Sequence, residues 1–279
     1  MLDAEDHWIE GVRCAVYDSG PDECAEAVVF VHGNPGPMDD WAELAPKIAG
    51  FARVIAMDMP GFGRAQRPRA FDHSVVGQAR YLGLLLDRLG VERAHLVLHD
   101  FGGPWGLRWM LDHPERSASL TLINCGVLDG YRWHRYAKIW QTPILGELFQ
   151  IVSNPRVMHA ALNHDNPKPL PRTYIDRIDG YADRGHKRAV LRTYRSSRDP
   201  AGAFPEMRLG MTADDLPTCV IWGDGDPYVP VRFAAEQRNY FPGAEIHILE
   251  GLGHWPFIDD PQAVLTPLKD FLRRHIRVG

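Results

Sequence analysis

The chain is predicted to fold as an α/β protein, with a mostly parallel sheet flanked by helices and a helical insertion late in the sheet. Three observations predict this. Short β-branched apolar runs alternate with stretches of helical periodicity, the pattern of a parallel sheet whose crossovers are helices. That alternation stops after Cys125 and resumes at Pro217. The interval is rich in Arg, Pro, Tyr and Trp and divides into pieces of helical length. A structureless connection that long is rare inside a compact domain.

Taken in order, residues 27–31 (Ala-Val-Val-Phe-Val), 52–57, 94–98 and 118–123 are short, β-branched-rich, mostly apolar runs, as expected of strands buried on both faces. Between the second and third, Ala79, Leu82, Leu85, Leu86 and Leu89 recur at helical spacing and Gly90 follows, a helix over 75–89 with a glycine to end it. Cap helices are expected over Tyr136–Phe149, Pro155–Leu162, Pro171–Tyr181 and His186–Arg198. Thr218–Trp222 and Ala244–Leu249 read as further strands, with a helix over Val231–Tyr240 between them. This gives a core domain of residues 1–127 and 214–279 and a cap domain of residues 128–213.

Composition narrows the class. With 45% hydrophobic and 24% charged residues over 279 positions, the chain is an ordinary globular protein, and no run approaches the ~18 apolar residues of a membrane span. The acidic first ten residues lack the basic and apolar regions of a secretory signal, so a cytoplasmic location is expected. Cys14, Cys24, Cys125 and Cys219 are scattered, which suggests neither a metal site nor a disulfide framework. The formal charge is −5, and the basic clusters Arg192–Arg198 and Arg273-Arg274 are short. They read as solvated faces, so neither nucleic acid nor a membrane is expected as a partner.

Three candidate reactive groups follow strand ends: Asp100 in Leu-His-Asp-Phe-Gly-Gly (98–103), Asp226 in Trp-Gly-Asp-Gly-Asp-Pro (222–227), and His254 in Gly-Leu-Gly-His-Trp-Pro (251–256). The carboxyl ends of adjacent parallel strands converge on one crevice. Asp224 is an alternative acid in the same turn, and Asp226 is preferred by position. His32-Gly33-Asn34-Pro35-Gly36-Pro37 follows the strand ending at Val31 and can bring a backbone N–H to the same place. The helix after Asp100 adds its positive end.

At these motifs, and in Asp58-Met-Pro-Gly-Phe-Gly-Arg and Asp112-His-Pro-Glu-Arg, the sequence resembles the α/β-hydrolase superfamily. It is specifically similar to the branch with an aspartate nucleophile, the epoxide hydrolases and haloalkane dehalogenases. The resemblance implies a triad of Asp100, Asp226 and His254, with the amides of Asn34 and Phe101 holding the oxyanion. A carboxylate is already ionised at neutral pH and attacks saturated carbon without a base. On an ester or amide it would form a mixed anhydride instead. The implied substrate is a small apolar organic molecule, hydrolysed with water and without metal or cofactor.

Which group leaves depends on the cap. Leu191-Arg-Thr-Tyr-Arg-Ser resembles the epoxide-hydrolase motif that carries a ring-opening tyrosine, here Tyr194, with Tyr131 or Tyr136 as a second. Asn34, Leu98 and Gly146-Glu147 lean toward a dehalogenase. Phe101 leans away, because it stands where a tryptophan would donate to halide. Trp105, Trp133 or Trp140 could supply that N–H, and Trp105 is taken as pocket-lining together with the two tyrosines. Epoxide hydrolysis is the preferred expectation. The absence of Gly-x-Ser-x-Gly disfavours a serine esterase, and a noncatalytic binding protein would need a broken triad.

Overall fold

The structure, a computed structural model, describes residues 1–20, 24–199 and 215–277. Its strands are β1 (Glu5–Ile9), β2 (Val12–Asp18), β3 (Glu26–Val31), β4 (Val54–Met57), β5 (Arg93–His99), β6 (Ser117–Ile123), β7 (Thr218–Gly223) and β8 (Glu245–Leu249). The helices of the described residues are α1 (Ala45–Ala49), α2 (Val75–Arg88), α3 (Gly102–Asp112), α4 (Arg135–Gln141), α5 (Leu145–Val152), α6 (Pro155–Asp165), α7 (Arg172–Gly180), α8 (Arg184–Ser196), α9 (Arg232–Glu236), α10 (Pro256–Asp259) and α11 (Pro261–His275).

All eight strands form one sheet in the order β1-β2-β4-β3-β5-β6-β7-β8. β3 to β8 run parallel, while β1 and β2 are antiparallel to their neighbours. The sequence reading placed no strands before residue 27. β1 is the edge strand and β2 its neighbour, and both are only partly buried, so they lack the mostly apolar run that marks the central strands.

Side chains alternating along β3 feed both faces. Val29 and Val31 join Leu82, Leu85, Trp105 and Trp109 of α2 and α3, whereas Val28 and Phe30 join Trp41, Val264, Leu268 and Phe271 on the α11 side. β3 connects outward to β4 on one side, and β5 continues the sheet on the other. The side on which successive strands are added therefore reverses after β4, while β3 and β5 themselves run parallel. The crevice beyond the carboxyl ends at such a reversal is where open α/β sheets hold ligands.

Between β6 and β7 the chain leaves the sheet to build α4 to α8. The single helix expected over Tyr136–Phe149 is two, α4 and α5. Pro143 lies in the break, where a proline cannot continue the helix before it, and Ile144 turns to φ 68°. These helices are tied to the sheet side by Arg177 on Asp40 (3.1 Å) and Arg67 on Asp183 (3.3 Å). The end expected for the insertion, at residue 213, and the last two residues of the expected core, 278 and 279, fall outside the described residues.

Candidate active site

Asp100 occupies the turn between β5 and α3 with φ 48°. A left-handed conformation is costly for a side chain with a Cβ, and it projects the carboxylate out of the strand-to-helix bend. The turn closes because of two glycines. A Cβ at Gly102 would overlap the carbonyl oxygen of Val31, and one at Gly33 would overlap the Asp100 side chain. The loop after β3 thus approaches until the Asn34 N–H donates to Asp100 Oδ1 at 2.7 Å. His32 braces that loop, its Nδ1 meeting the Gly33 carbonyl at 2.7 Å and its Nε2 accepting from the Met59 N–H at 3.0 Å. Phe101 is the N-cap of α3. Of the two expected oxyanion amides, Asn34 alone bonds this carboxylate among the described residues.

His254, in the loop after β8, faces two carboxylates. Its Nδ1 lies 2.7 Å from Asp226 Oδ2 and its Nε2 lies 3.4 Å from Asp100 Oδ2. Asp226 is locked by further donors. The N–H groups of Tyr228 and Val229 donate to its Oδ1 at 2.8 and 2.9 Å, and Asn124 Nδ2 donates to its Oδ2 at 2.7 Å. Asp224, the alternative acid, is exposed and accepts from the Gly251 N–H at 2.7 Å; it holds a turn away from His254. Behind the histidine, His99 Nε2 donates to the His254 carbonyl at 2.8 Å, and Asn166 Oδ1 accepts from the His254 N–H at 3.3 Å.

The electrostatics follow from burial and charge together. Burial pushes the Asp100 carboxyl up, but the His254 hydrogen bond and charge, with the Asn34 N–H, outweigh it and hold Asp100 at about 2. Burial opposes charge on His254, yet Asp226 and Asp100 raise it to about 10. The resting pair is therefore carboxylate and imidazolium. His99, buried beside that cation, is lowered to about 3, so it is neutral and able to donate through one ring nitrogen.

Asp100 borders two cavities of about 980 and about 630 Å3, which share it with His134 and Tyr228. The larger also touches Asn34, Tyr194, His254 and Trp140; the smaller is walled by Phe101, Leu128, Tyr131 and Trp133. Tyr194 is buried, and its hydroxyl accepts from Asn34 Nδ2 at 3.4 Å, leaving the phenolic proton for a ligand. Burial, then the Asp100 charge, push that phenol well above its ordinary range. Phe101 packs edge-on against the Tyr194 ring at 4.9 Å.

The remaining expected residues are placed differently. Tyr131 lines the smaller cavity, but its hydroxyl donates to the Tyr228 carbonyl at 3.0 Å. Tyr136 lies on the larger cavity, partly exposed, and accepts from Arg135 at 3.1 Å. Trp105 is a correction: its indole is fully buried against Phe62, His32 and Phe101, and it is not among the residues lining either cavity. Its position one helical turn into α3 points it at the sheet, where a large apolar side chain is most stable. Trp133 Nε1 donates to the Ser197 carbonyl at 2.8 Å. Trp140 Nε1 is buried with no partner among the described residues.

Sequence reasoning missed Asn124, Tyr228, His134, His99 and Asn166. Asn124 follows β6 as directly as Asp100 follows β5, and Tyr228 stands two residues after Asp226, so the strand-end argument could have found both. His134 caps α4, its Nδ1 accepting from the Ala137 N–H at 3.3 Å. Its ring sits 5.0 Å from Tyr228 and 6.1 Å from Tyr194. Burial lowers it to about 4, leaving it neutral with Nε2 as its N–H. No local pattern marks such a residue.

A family model described as alpha/beta hydrolase fold matches residues 26–261. A 2-hydroxy-6-oxononadienedioate/2-hydroxy-6-oxononatrienedioate hydrolase of Burkholderia vietnamiensis is 25% identical, over 95% of this chain and 93% of its own. Among solved structures, Epoxide Hydrolase A from Mycobacterium thermoresistibile superposes with a TM-score of 0.83 at 20% identity, covering 98% of both chains. The haloalkane dehalogenase DatA from Agrobacterium tumefaciens C58 does so at 0.84 and 20%, covering 98% of this chain and 97% of its own. Likeness at this level speaks for the shared fold, and hosts of one fold differ in chemistry. With a sheet of this order, the strand-end constellation and a family match over most of its length, the chain belongs to the α/β-hydrolase fold family.

Proposed function

We propose that the protein is an epoxide hydrolase that opens small apolar epoxides through an ester on Asp100 and releases a vicinal diol, with residues 128–213 acting as a cap over the reacting centre. One observation carries the reading. The fixed, ionised Asp100 carboxylate and the buried Tyr194 phenol face the same cavity. A nucleophile and an acid at one apolar site are what ring opening requires, because an alkoxide is too basic to leave unprotonated.

Asp100 Oδ1 is occupied by the Asn34 N–H, so Oδ2 attacks an epoxide carbon. The carbon–oxygen bond breaks and the oxygen takes the Tyr194 proton, with the His134 N–H as a further donor on the same cavity. The ester cancels the Asp100 charge, which removes one of the two anions that hold His254 protonated. The imidazolium proton then replaces the one lost by Tyr194. Neutral His254, oriented by Asp226, takes a proton from water, whose oxygen adds to the Asp100 carbonyl carbon. The Asn34 amide stabilises the resulting oxyanion. Collapse expels the diol oxygen with a proton from His254, and the new carboxylic acid returns its proton to the imidazole. Asp100 and His254 end as carboxylate and imidazolium.

Halide displacement is a second reading, favoured by the partnerless Trp140 indole N–H and the Asn34 amide on the larger cavity. One experiment separates the two. His254→Gln protein incubated with a panel of epoxides and bromoalkanes should trap an adduct of epoxide mass on the peptide carrying Asp100. An alkyl adduct with bromide release would establish the halide reading. Failure to form any adduct, with wild type also inert, would overturn ester chemistry at Asp100.

A further inference from the structure

α5 is apolar on the side where a surface helix is ordinarily polar. Its inner face is already supplied by Gly146, which packs on Leu191, and by Phe149, whose ring meets Tyr136 and Trp140 at 6.2 and 6.1 Å. Outward it shows Leu145, Leu148, Ile151 and Val152, preceded by Ile144 and flanked by Val157 of α6, with Ile144 and Ile151 each 75% exposed. Glu147, the acidic residue of this helix, is paired with Arg195. Such contiguous exposure marks an interaction surface, unlike singly scattered apolar residues.

The charge around this ridge selects the partner. Residues 128–199 contain 13 Lys and Arg against 7 Asp and Glu, a formal +6 in a chain whose total is −5. Lys138 and Arg198 border a surface depression with Pro143 beside the Ile144 end, and exposed Arg156 precedes Val157 at the other. Apolar side chains rimmed by cations complement an anionic phospholipid surface, where the former enter the headgroup boundary and the latter meet phosphate. Val157, Phe149 and Gln150 also wall the larger cavity, so the ridge lies beside the space that reaches Asp100.

We propose that α5 and the start of α6 dock this protein reversibly on anionic lipid surfaces, from which apolar molecules pass to the larger cavity. The docking itself does not depend on the reaction at Asp100, and its test reads binding. The whole protein is sedimented with phosphatidylcholine vesicles with and without phosphatidylglycerol. The expected result is about tenfold or more binding to the anionic vesicles, lost in Leu148→Glu/Ile151→Glu and reduced in Lys138→Glu/Arg156→Glu. Hydrolysis of a water-soluble substrate should be unchanged in both. If the glutamate pair at 148 and 151 prevents folding by circular dichroism, Ile144→Ser/Ile151→Ser decides in its place. No binding to either vesicle, or binding that the ridge substitutions leave intact, overturns the proposal. So does a dimer in sedimentation velocity that these substitutions dissolve in the absence of vesicle binding, which would give the face to a second copy.

Discussion

Asn124 Nδ2 donates to Asp226 Oδ2 at 2.7 Å, joining residues that follow the neighbouring strands β6 and β7. The amide oxygen of Asn124 accepts from the Gly223 N–H at 3.1 Å, so one side chain ties two strand ends together. The oxygen it holds is the one that meets His254 Nδ1. Asn124 sits at φ 47°, a conformation that asparagine tolerates better than most residues.

Asn124→Gly keeps that backbone conformation and removes both hydrogen bonds. The buried Gly223 N–H then loses the acceptor that Asn124 gave it and Asp226 Oδ2 keeps His254 Nδ1, so stability should fall by about 1–3 kcal/mol in denaturant unfolding. Ester formation in the first turnover should be nearly unchanged, while ester hydrolysis slows by about tenfold as His254 loses alignment. Rapid-quench measurement separates the two phases.

His254 should remain an imidazolium until the pH approaches about 10. Its folded value lies above the ordinary histidine value, so its contribution to stability is complete below about 6.5 and is lost as pH rises through about 10. Asp100 behaves in the opposite sense. Held at about 2, below its ordinary 3.8, it stabilises above that ordinary value and ceases to as pH falls through about 2. Protons on both Nδ1 and Nε2 of His254 at pH 8, read from the nitrogen shifts in NMR spectra, would bear this out, and a ring protonated on Nδ1 alone at that pH would contradict it.

Asp100→Asn mimics the uncharged state of the ester. Turnover should drop by at least about 10³-fold with the thermal transition retained, and the His254 titration should move down from about 10 because one anion is gone. An unmoved titration would mean that Asp226 alone sets the charge of the ring.

Tyr194→Phe preserves the ring packing on Phe101 and Trp140 and deletes the proton donor. Epoxide opening should slow by about 10²–10⁴-fold, with attack on a bromoalkane nearly unaffected. Equal losses on both substrates would assign Tyr194 to packing.

Gly102→Ala places a methyl group on the carbonyl oxygen of Val31. The start of α3 must then withdraw from β3, at a cost of about 2–4 kcal/mol. The same withdrawal lengthens the Asn34 contact to Asp100. Thermal unfolding reads the first effect and the rate of ester hydrolysis the second.

Much of this arrangement was legible in the chain because it is local. Asp100, Asp226, His254 and Asn34 lie in short turns directly after apolar strands, and parallel strands deliver their carboxyl ends to one edge whatever lies between them. The same rule would have included Asn124 had its turn been read as a donor. β1 and β2 escaped because strands at the partly exposed end of a sheet need no mostly apolar run, and α4 and α5 were merged because proline and the left-handed Ile144 act over three residues inside an otherwise periodic stretch.

Local pattern was thus enough for the parallel sheet, the helices inserted before β7 and the order of groups along the strand ends. These follow from side-chain period and from turn chemistry, which neighbouring residues decide among themselves. Which aromatic side chains border the carboxylate's cavities was settled by long-range packing. Tyr131 spends its proton on the Tyr228 carbonyl, Trp105 turns into the core, and His134 and Tyr228 border the cavities instead. Those outcomes depend on how α4 to α8 pack across the sheet, through contacts more than sixty residues apart, and helical period says which face a residue occupies but not what that face will meet.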